Sequence, residues 1–455
     1  MTNQANPSNF NDPLEAPRSF PSALDLPDQL GIRVLTRPIS ATIEIPGSKS
    51  ISNRALVLAA LHADRTSCLL KSLLHSEDTI VMLESLRQLG FSIREEGATG
   101  HTLVSQRQDS MPGVIPATSA KLFVANSGTT MRFLTAMISL GHGDYSLDGI
   151  PRMRERPIRD LAEAIQSLGV TIHWDQKEGY PPLTLKTASW KKNHVAIRGN
   201  TSSQFLSGLL MAACRAPFQM VIQLDSALVS EPYVQMTISM LRHWGYTIEQ
   251  TGSSYTVIPH SERIISEYFI EPDASGASYF LAAAAISSGK ITIPGLWQNS
   301  TQGDIAFVKV LAQMGCQISE DHIGTHLQGA QLKGIDIDMN AISDTVMTLA
   351  AVACFAVGPT TIRNVAHIRH KETDRLTALS TELRKTGCKV EEWEDGIRIT
   401  PQPLHGATID TYNDHRMAMS LSLLGLKVPG IIINNPSCTS KTYPTFWQDF
   451  EKLYT

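Results

Sequence analysis

Five copies of one phrase recur along the chain and constrain its fold more than any other feature. Each copy is a short amphipathic helix pattern closed by glycine, and the copies begin at residues 83, 161, 238, 308 and 379. The closing glycines are Gly90, Gly169, Gly245, Gly315 and Gly387, spaced 79, 76, 70 and 72 residues apart. Glycine is typical of a helix C-terminus, where the backbone turns left-handed. A sixth, truncated copy is predicted at FWQDFEKLYT, residues 446–455.

Each repeat also contains a second, more apolar helix pattern. These helices are predicted to start near Ser52, Thr129, Ser203, Gly276, Asp344 and Asp414. The coarse unit is therefore strand, apolar helix, strand, amphipathic helix and further strands. One such unit cannot cover its own apolar face, so several must pack around a shared core. Six units predict an α/β fold with two pseudo-threefold domains of three units each.

Composition narrows the class of protein. The 455 residues are 42% hydrophobic and 18% charged, against a typical charged fraction of about 25%, which is typical of a globular chain of several domains. A net charge of −4 without a long basic block argues against nucleic-acid binding. No stretch is apolar for long enough to predict a membrane span.

The cysteines and the N-terminus indicate where the protein works. The six cysteines (Cys68, Cys214, Cys316, Cys354, Cys388 and Cys438) show no C-x-x-C or metal-site spacing, which predicts reduced thiols in the cytoplasm. Residues 1–30 are rich in proline and match neither a secretory signal nor a transit peptide. We expect them to form a loose extension.

The starts of the six apolar helices carry the unusual residues. Their sequences are GSKSISNR (47–54), NSGTTMR (126–132), NTSSQF (200–205), DASGAS (273–278), SDTVMT (343–348) and NDHRMAM (413–419). Any one of them alone is an ordinary helix cap. Six similar starts that meet in space would place free N–H groups and positive helix ends around one cleft. The pattern therefore predicts a cleft for polyanionic ligands.

Three further stretches, 151–160, 367–375 and 437–444, concentrate basic residues. They hold Arg152, Arg154, Arg156, Arg159, Arg369, Lys371, Arg375 and Lys441, which can bind carboxylate or phosphate or can simply form solvated loops. The GSKS sequence is no nucleotide loop, because the glycine that such a loop needs at position 42 is threonine.

Acids and imidazoles accompany these bases and supply candidates for proton transfer. Asp344 and Glu372 are the candidate base and acid. The alternatives are that Asp344 caps a helix and that Asp374 and Asp414 are structural partners of arginine. His367, His370 and His415 are the imidazoles in these stretches. His367 and His370 lack a matched third ligand, so no metal site and no cofactor is predicted.

The motifs PGSKSISNRAL, NSGTTMR, PRMRERPI, SSQF, DASGASYFLAAAAI, HKETDRL, YNDHRMAM and SCTSKTYP run in this order over residues 46–444. Together they resemble the 5-enolpyruvylshikimate-3-phosphate synthase family of enolpyruvyl transferases. The resemblance implies transfer of the enolpyruvyl group of phosphoenolpyruvate to the 5-hydroxyl of shikimate 3-phosphate, with release of phosphate, in aromatic amino-acid biosynthesis. It also implies two domains of three βαβαββ units, an inverse α/β barrel-like fold, with the active site in the interdomain cleft. The implied domains are 31–47 with 271–455, and 48–270, in a monomer.

The resemblance also implies site residues. Shikimate 3-phosphate would bind Lys49, Ser50, Arg54, Ser202, Ser203, Ser230, Tyr233, Asp344, His367 and Lys371. Phosphoenolpyruvate, and the inhibitor glyphosate in its place, would bind Lys49, Gly128, Arg156, Gln204, Arg375, Arg416 and Lys441. The catalytic residues would be Asp344 as base, Glu372 as acid, and Lys49.

Two positions depart from the family pattern. Phe133 replaces a common proline after Arg132, and His367 replaces a substrate-contacting asparagine. The resemblance therefore does not determine the shape of the pocket wall behind Gly128. It also does not determine whether His367 contacts the substrate. Two other functions are also open: a sister enzyme that transfers enolpyruvate to UDP-N-acetylglucosamine, and a non-catalytic scaffold that binds an anionic metabolite. The sister family typically has Lys-Asn where this chain has Lys49 and Ser50, and it has a reactive cysteine in its second unit, where this chain has none.

Overall fold

Each predicted repeat is present as a pair of helices with its own small sheet. The computed structural model describes residues 26–96, 100–106 and 113–455. The α-helices of these residues are α1 (Lys49–Leu61), α2 (Glu77–Gln88), α3 (Gly128–Ile138), α4 (Arg159–Ser167), α5 (Ser203–Ala213), α6 (Pro232–His243), α7 (Ala274–Ser287), α8 (Phe307–Gln313), α9 (Val346–Ala353), α10 (Arg375–Lys385), α11 (His415–Ser422) and α12 (Phe446–Glu451). The apolar helices begin within three residues of their predicted starts.

The strands are short. They are β1 (Gln29–Gly31), β2 (Ser40–Thr42), β3 (Cys68–Lys71), β4 (Phe91–Glu96), β5 (His101–Gln106), β6 (Ser119–Phe123), β7 (His142–Asp148), β8 (Thr171–Trp174), β9 (Leu183–Ala188), β10 (His194–Ile197), β11 (Met220–Leu224), β12 (Thr247–Thr251), β13 (Ser254–Ile258), β14 (Glu267–Phe269), β15 (Lys290–Pro294), β16 (Gln317–Glu320), β17 (Gly324–Gln328), β18 (Asp336–Asp338), β19 (Thr360–Arg363), β20 (Lys389–Trp393), β21 (Gly396–Thr400), β22 (Thr408–Ile409) and β23 (Ile432–Asn434). In the described residues they form six sheets.

Five of these sheets have four strands with one parallel and two antiparallel pairings. The orders are β14-β3-β5-β4, β6-β7-β9-β8, β10-β11-β13-β12, β2-β15-β17-β16 and β18-β19-β21-β20. In three of these sheets the apolar helix of the unit connects the parallel pair, as α3 connects β6 to β7 with Ser119 opposite Asp144. In the other two sheets the parallel partner is distant in sequence: β14 lies beside β3, and β2 lies beside β15. The sixth sheet, β1-β23-β22, has three strands, as expected for a truncated unit. The prediction of a sixfold α/β repeat is confirmed.

The predicted loose extension and the structure overlap at only a few residues. Residues 1–25 lie outside the described residues. Within the rest of the predicted extension, Gln29 and Leu30 belong to β1, where Gln29 pairs with Asn434 and Leu30 with Ile433 of β23. β1 therefore begins within the predicted extension.

Two separate hydrophobic cores divide the molecule. One runs from Ile51 to Ile270, and we call the residues around it the central lobe. The other combines Leu30 to Ile45 with Ala274 to Leu453, and we call its residues the outer lobe. In the central lobe α1, α3 and α5 pack together, and in the outer lobe α9 packs against α7 and α11. These apolar helices are buried nearly all round, which leaves their polar starts as the groups that can face a cleft.

The chain crosses between the lobes twice, and the two crossings bond to each other. Gly47 forms a bridge with Pro272. The Ser48 N–H donates to the Glu271 carbonyl at 2.7 Å, and the Asp273 N–H donates to the Pro46 carbonyl at 2.9 Å. A side chain at Gly47 would collide with the Ser72 carbonyl. The crossings therefore place the starts of α1 and α7 side by side at the base of the cleft.

No helix in the described part of the chain combines the length and the apolar character needed to cross a bilayer.

Candidate active site

Charged side chains from both lobes meet in one small cavity of about 20 Å³. Its lining is formed by Lys49, Asp78, Gly128, Thr129, Arg156, Gln204, Asp344, Lys371, Glu372, Arg375 and Arg416. Five cations thus face three carboxylates. Because most of these groups come from helix starts, the sixfold repeat explains how residues far apart in sequence converge here.

Asp344 is held by cations and caps no helix. Its carboxylate accepts from Arg416 Nη2 at 2.7 Å and from Arg375 Nη1 at 3.2 Å, and Lys371 Nζ lies 3.7 Å away. It lies in a 3-10 turn, Asn340–Thr345, and α9 starts two residues later at Val346. The alternative in which Asp344 is an N-cap is therefore wrong. Burial alone would raise the pKa of Asp344, but these cations hold it well below its usual range.

Glu372 is in a similar position beside Arg375, whose Nη2 donates to Glu372 Oε2 at 2.9 Å. Burial would raise the pKa of Glu372, but Arg375, Arg156 and Lys441 outweigh it and keep the pKa well below its usual range. The carboxylate is therefore ionised in this arrangement.

Two acids in the same motifs are structural, as the alternative interpretation predicted. Asp374 caps α10 through the Thr377 N–H and pairs with Arg369 at 2.9 Å. Asp414 caps α11 through the Arg416 N–H and accepts from Arg375 Nε at 2.8 Å. Asp414 thus fixes the orientation of Arg375.

Gly128, the first residue of α3, lies against two guanidinium groups. An added Cβ there would fall inside contact distance of Arg156 Nη2 and 2.8 Å from Arg132 Nη1. Arg156 Nη1 donates to the Asn126 carbonyl at 2.9 Å. Arg132 is fully buried, and burial, reinforced by repulsion from Arg156, lowers its pKa well below its usual range. This corner therefore concentrates positive charge next to bare backbone.

Phe133 lies away from this corner. Its ring is buried, and the Arg54 guanidinium carbon stands 5.0 Å from the ring centroid. Arg54 Nε donates to Thr237 Oγ1 at 2.7 Å, and its other nitrogens donate to Ser50, Ser207 and Tyr233. Burial lowers the pKa of Arg54 to about 10. The structure thus places Arg54 among the helices of the central lobe, with Phe133 behind it.

Lys441 reaches the site from the outer lobe. Its Nζ lies 2.6 Å from Asp78 Oδ1 and donates to the Asn126 carbonyl at 3.0 Å, while Lys49 Nζ lies 3.4 Å from Asp78 Oδ2. Asp78 thus holds two of the predicted phosphoenolpyruvate-binding cations, although it was absent from the sequence prediction.

A second network joins the lobes on the other side of Asp344. The Tyr233 hydroxyl lies 3.0 Å from Asp304 Oδ2 and 3.3 Å from Asp344 Oδ2. Burial, with repulsion from Asp344, raises the pKa of Asp304 to about 6. Ser230 Oγ lies 3.2 Å from His367 Nε2, and burial lowers the pKa of His367 to about 3. His367 is therefore a neutral hydrogen-bonding group.

Three of the remaining predicted ligands line two neighbouring cavities. Ser202 and Gln204, at the start of α5, line one together with Arg156, His367 and Lys371. Ser50 lines another with Lys49 and Arg416. Ser203 is the buried first residue of α5. The site prediction thus names residues that the fold brings close together.

Several basic residues of the same motifs do not line these cavities. Arg154 pairs with Asp148 at 2.6 Å, and Arg159 with Glu178 at 2.7 Å, both on the central lobe. Arg369 binds Glu392 and Asp374. These three arginines are paired with acids away from the cavities, and Arg159 is the first residue of α4 rather than part of a loop. Arg152 instead reaches the other lobe.

Asp78 and Asp304, which the sequence prediction omits, share a recognisable position in the repeat. Both stand at the start of an amphipathic helix or the turn before it. The same place in other units holds Asp160, Glu231 and Asp374. A repeat-by-repeat comparison of helix starts would have identified them.

Among the described residues, no group of three or more His, Cys, Asp or Glu side chains is placed to hold a metal ion. The cavity offers fixed cations, which gather anions, and carboxylates in different environments, which can exchange protons.

Comparison with known proteins points to one family. The sequence profile described as EPSP synthase (3-phosphoshikimate 1-carboxyvinyltransferase) matches residues 35–450. A 3-phosphoshikimate 1-carboxyvinyltransferase of Nostoc sp. is 46% identical over 430 residues, which is 94% of this chain and 99% of the relative. The protein of that name from Marinomonas sp. is 46% identical over 414 residues, 90% of this chain and 96% of the relative.

A solved structure has the same fold. EPSP synthase from Acinetobacter baumannii superposes with a TM-score of 0.78 at 25% identity, covering 94% of this chain and 98% of that one.

Proposed function

The chain belongs to the EPSP synthase family and is a 3-phosphoshikimate 1-carboxyvinyltransferase of the shikimate pathway, and from this premise we propose how its residues divide the reaction. The family assignment removes the two alternative functions. In the reaction the 5-hydroxyl oxygen of shikimate 3-phosphate bonds to C2 of phosphoenolpyruvate while C3 gains a proton. Phosphate then leaves C2 and C3 loses a proton, which restores the double bond in the product.

Anion binding is the first task of the site. Each substrate carries a phosphate and a carboxylate, so bringing them together in a dry cleft requires fixed positive charge. Phosphoenolpyruvate lies on Lys49, Gly128, Arg156, Gln204, Arg375, Arg416 and Lys441. The single observation that carries this assignment is the excess of five cations over three carboxylates in one cavity.

Shikimate 3-phosphate binds on the other side of Asp344. Its ligands are Lys49, Ser50, Arg54, Ser202, Ser203, Ser230, Tyr233, Asp344, His367 and Lys371. His367 contributes as a neutral group, since its pKa of about 3 leaves it uncharged at neutral pH. The hydroxyl-rich starts of α1 and α5 supply hydrogen-bond donors that suit the sugar-like ring and its phosphate.

Asp344 is the base that takes the proton of the 5-hydroxyl. Its ionised state supports this role, because a base must be deprotonated before it acts. Lys49, near Asp78, stabilises the charge that develops between the two substrates.

Glu372 is the acid that protonates C3, and substrate binding prepares it. Arg375, Arg156 and Lys441 hold its pKa low, and Arg375, Arg156 and Lys441 are also proposed to receive phosphoenolpyruvate. When the anionic substrate neutralises these cations, the pKa of Glu372 rises and the carboxyl can take up a proton. The acid is thus formed only when its substrate is present.

The two lobes correspond to the proposed domains, 31–47 with 271–455 and 48–270. Their separate cores support this division. A monomer is sufficient, because one chain supplies every proposed ligand. The six free, buried thiols of the described residues fit a reducing cytoplasm.

Phosphate release on mixing shikimate 3-phosphate with phosphoenolpyruvate tests these roles. We expect Glu372→Gln and Asp344→Asn to lower kcat by about 10² to 10⁴, the usual contribution of a proton-transfer group, with shikimate 3-phosphate still bound. Glu391→Gln, on exposed β20, is the matched control and should keep parent turnover. If either site variant turns over like the control, the role given to that residue is wrong.

A further inference from the structure

Arg152 is the one member of the 151–160 arginine cluster that bonds across the cleft to the segment carrying the proposed acid. It lies in the turn after β7, at the start of the 3-10 turn Met153–Glu155 on the central lobe. Its Nε donates to the Glu372 carbonyl at 3.0 Å and its Nη2 to the Lys371 carbonyl at 2.9 Å. Both acceptors belong to the outer lobe.

The backbone that Arg152 contacts is not part of a helix or a strand. Lys371 and Glu372 lie between the 3-10 turn Ala366–His370 and the start of α10, outside any helix or strand. Yet Lys371 is a proposed ligand of shikimate 3-phosphate and Glu372 the proposed acid. A shift of this backbone would therefore move both side chains relative to the substrates.

The guanidinium group suits this task because its planar fork can donate to two neighbouring carbonyls at once. Hydrogen bonds from a charged donor are shorter and stronger than neutral ones. The third guanidinium nitrogen of Arg152 bonds within the central lobe, where Nη1 donates to Glu155 Oε2 at 2.8 Å. Arg152 thus connects a turn of the central lobe to the backbone of the segment that carries Lys371 and Glu372.

The neighbouring arginines show that this role is specific to position 152. Arg154, two residues later, uses Nε and Nη2 on Asp148 of its own lobe. Arg156 faces the cavity and donates to Asn126. Of the hydrogen bonds made by these three arginines, only those of Arg152 can form or break when the lobes move relative to each other.

We propose that Arg152 is a positioning residue that sets the Lys371–Glu372 backbone when the lobes close, so that Glu372 stands at C3 of phosphoenolpyruvate only in the closed enzyme. This inference rests on the proposed role of Glu372. A catalytic group misplaced by about 1 Å can lower the rate by about 10². Loss of the two Arg152 hydrogen bonds should therefore slow proton transfer more than it weakens substrate binding.

The test compares Arg152→Gln, Arg152→Lys and Arg154→Gln with the parent, after thermal denaturation has shown that each variant is folded. We expect Arg152→Gln to lower kcat about 10- to 100-fold, to change the KM of either substrate less than about 3-fold, and to increase the solvent deuterium isotope effect on kcat. Arg152→Lys should recover part of the rate, since an ammonium can still donate to the carbonyls. Arg154→Gln should stay within about 2-fold of the parent.

Two results would overturn the proposal. One is parent-like kcat in Arg152→Gln. The other is an equal loss of affinity for both substrates with an unchanged isotope effect. That result would mean that Arg152 only holds the lobes together and does not position Glu372. Failure of the proposed function is seen separately, in parent-like turnover of Glu372→Gln.

Discussion

At the scale of single residues, the site is a set of buried charges that fix one another's protonation states. Asp344 and Glu372 stay ionised although burial opposes it, because Arg416 and Arg375 lie beside Asp344, and Arg375 lies beside Glu372 as well. The same carboxylates, with Asp414, raise the pKa of Arg375 above its usual value although burial would lower it. Removing one partner would leave another buried charge uncompensated, and an uncompensated buried charge destabilises the folded protein.

The sequence identifies these charged residues more easily than it identifies which of them pair with each other. Lys49 and Arg416 stand out because charges are unusual at the starts of apolar helices, and Arg156 and Glu372 stand out because they lie in stretches that concentrate charge. Asp78 looks like an ordinary acid in the first turn of an amphipathic helix, and only packing brings it to Lys441, 363 residues away. The neutral state of His367 likewise depends on burial, which its motif does not specify.

Gly128→Ala should weaken binding of phosphoenolpyruvate and weaken glyphosate more. The added methyl group would displace the guanidinium groups of Arg156 and Arg132, and the longer inhibitor has less room to adjust than the substrate. We expect a discrimination of about 1 to 3 kcal/mol, the scale of one methylene in a pocket. Inhibition measured against varied phosphoenolpyruvate checks this. A noncompetitive pattern, or equal inhibition of both forms, would contradict the assignment of Gly128.

Asp304→Asn should change how thermal stability depends on pH. The pKa of Asp304 is about 6 in the folded protein and starts from an ordinary value of 3.8. The folded state therefore holds the proton more tightly, and this contribution, on the order of 3 kcal/mol, is present below about pH 4 and lost as pH rises through about 6. Asn keeps an acceptor for Tyr233 and does not titrate.

Melting temperatures between pH 4 and pH 7.5, recorded with saturating shikimate 3-phosphate so that the lobes are closed over Asp304, measure the effect. Asp304→Asn should gain stability relative to the parent as pH rises through this window and stay level above it. Asp336→Asn, at an exposed pair with Arg363, serves as the control and should follow the parent. A constant difference between Asp304→Asn and the parent at every pH would refute the raised pKa.

At the scale of elements, the sequence predicted helices better than sheets. Apolar runs and glycine stops mark the helices locally, so their positions follow from the pattern. Strand partners are not local: β14 closes the sheet of the first unit beside β3, about 200 residues earlier, and β2 joins β15 in the same way. Short strands such as β22, with two residues, leave almost no periodic signal.

The substitution Gly245→Ala tests the role of the glycine that ends each amphipathic helix of the repeat. Gly245 has φ +87° after α6, and an added Cβ would meet Ser261 Oγ and stand 2.6 Å from Arg263 Cβ. The left-handed backbone costs a non-glycine residue about 1 to 2 kcal/mol, and the collision adds to it. Gly252→Ala is the matched control, since Gly252 has φ +58° with nothing within 4 Å of the added atom.

Thermal denaturation of both variants gives the comparison. We expect Gly245→Ala to lower the melting temperature clearly more than Gly252→Ala, because both share the backbone strain and only the first has the collision. Equal losses would mean that the neighbours of Gly245 move aside freely.

At the scale of the whole molecule, the lobes are in contact across the cleft. Besides Arg152, the Ser230 N–H donates to Asn340 Oδ1 at 3.1 Å, and Lys441 reaches Asp78. Sequence symmetry predicts two groups of three units but says nothing about the angle between them. That angle depends on the charges that face each other, and hence on what is bound between them.

The last prediction is that the protein is open without ligand and closes on shikimate 3-phosphate. The cavity of the closed arrangement gathers five cations against three carboxylates, so closure without an anion leaves uncompensated positive charge in a buried place. An anion that binds the closed form better shifts the population toward it. Small-angle scattering should therefore show a smaller radius of gyration with shikimate 3-phosphate, and no change with unphosphorylated shikimate at the same concentration. A radius that stays constant on saturation with shikimate 3-phosphate and phosphoenolpyruvate together would show that the lobes do not move.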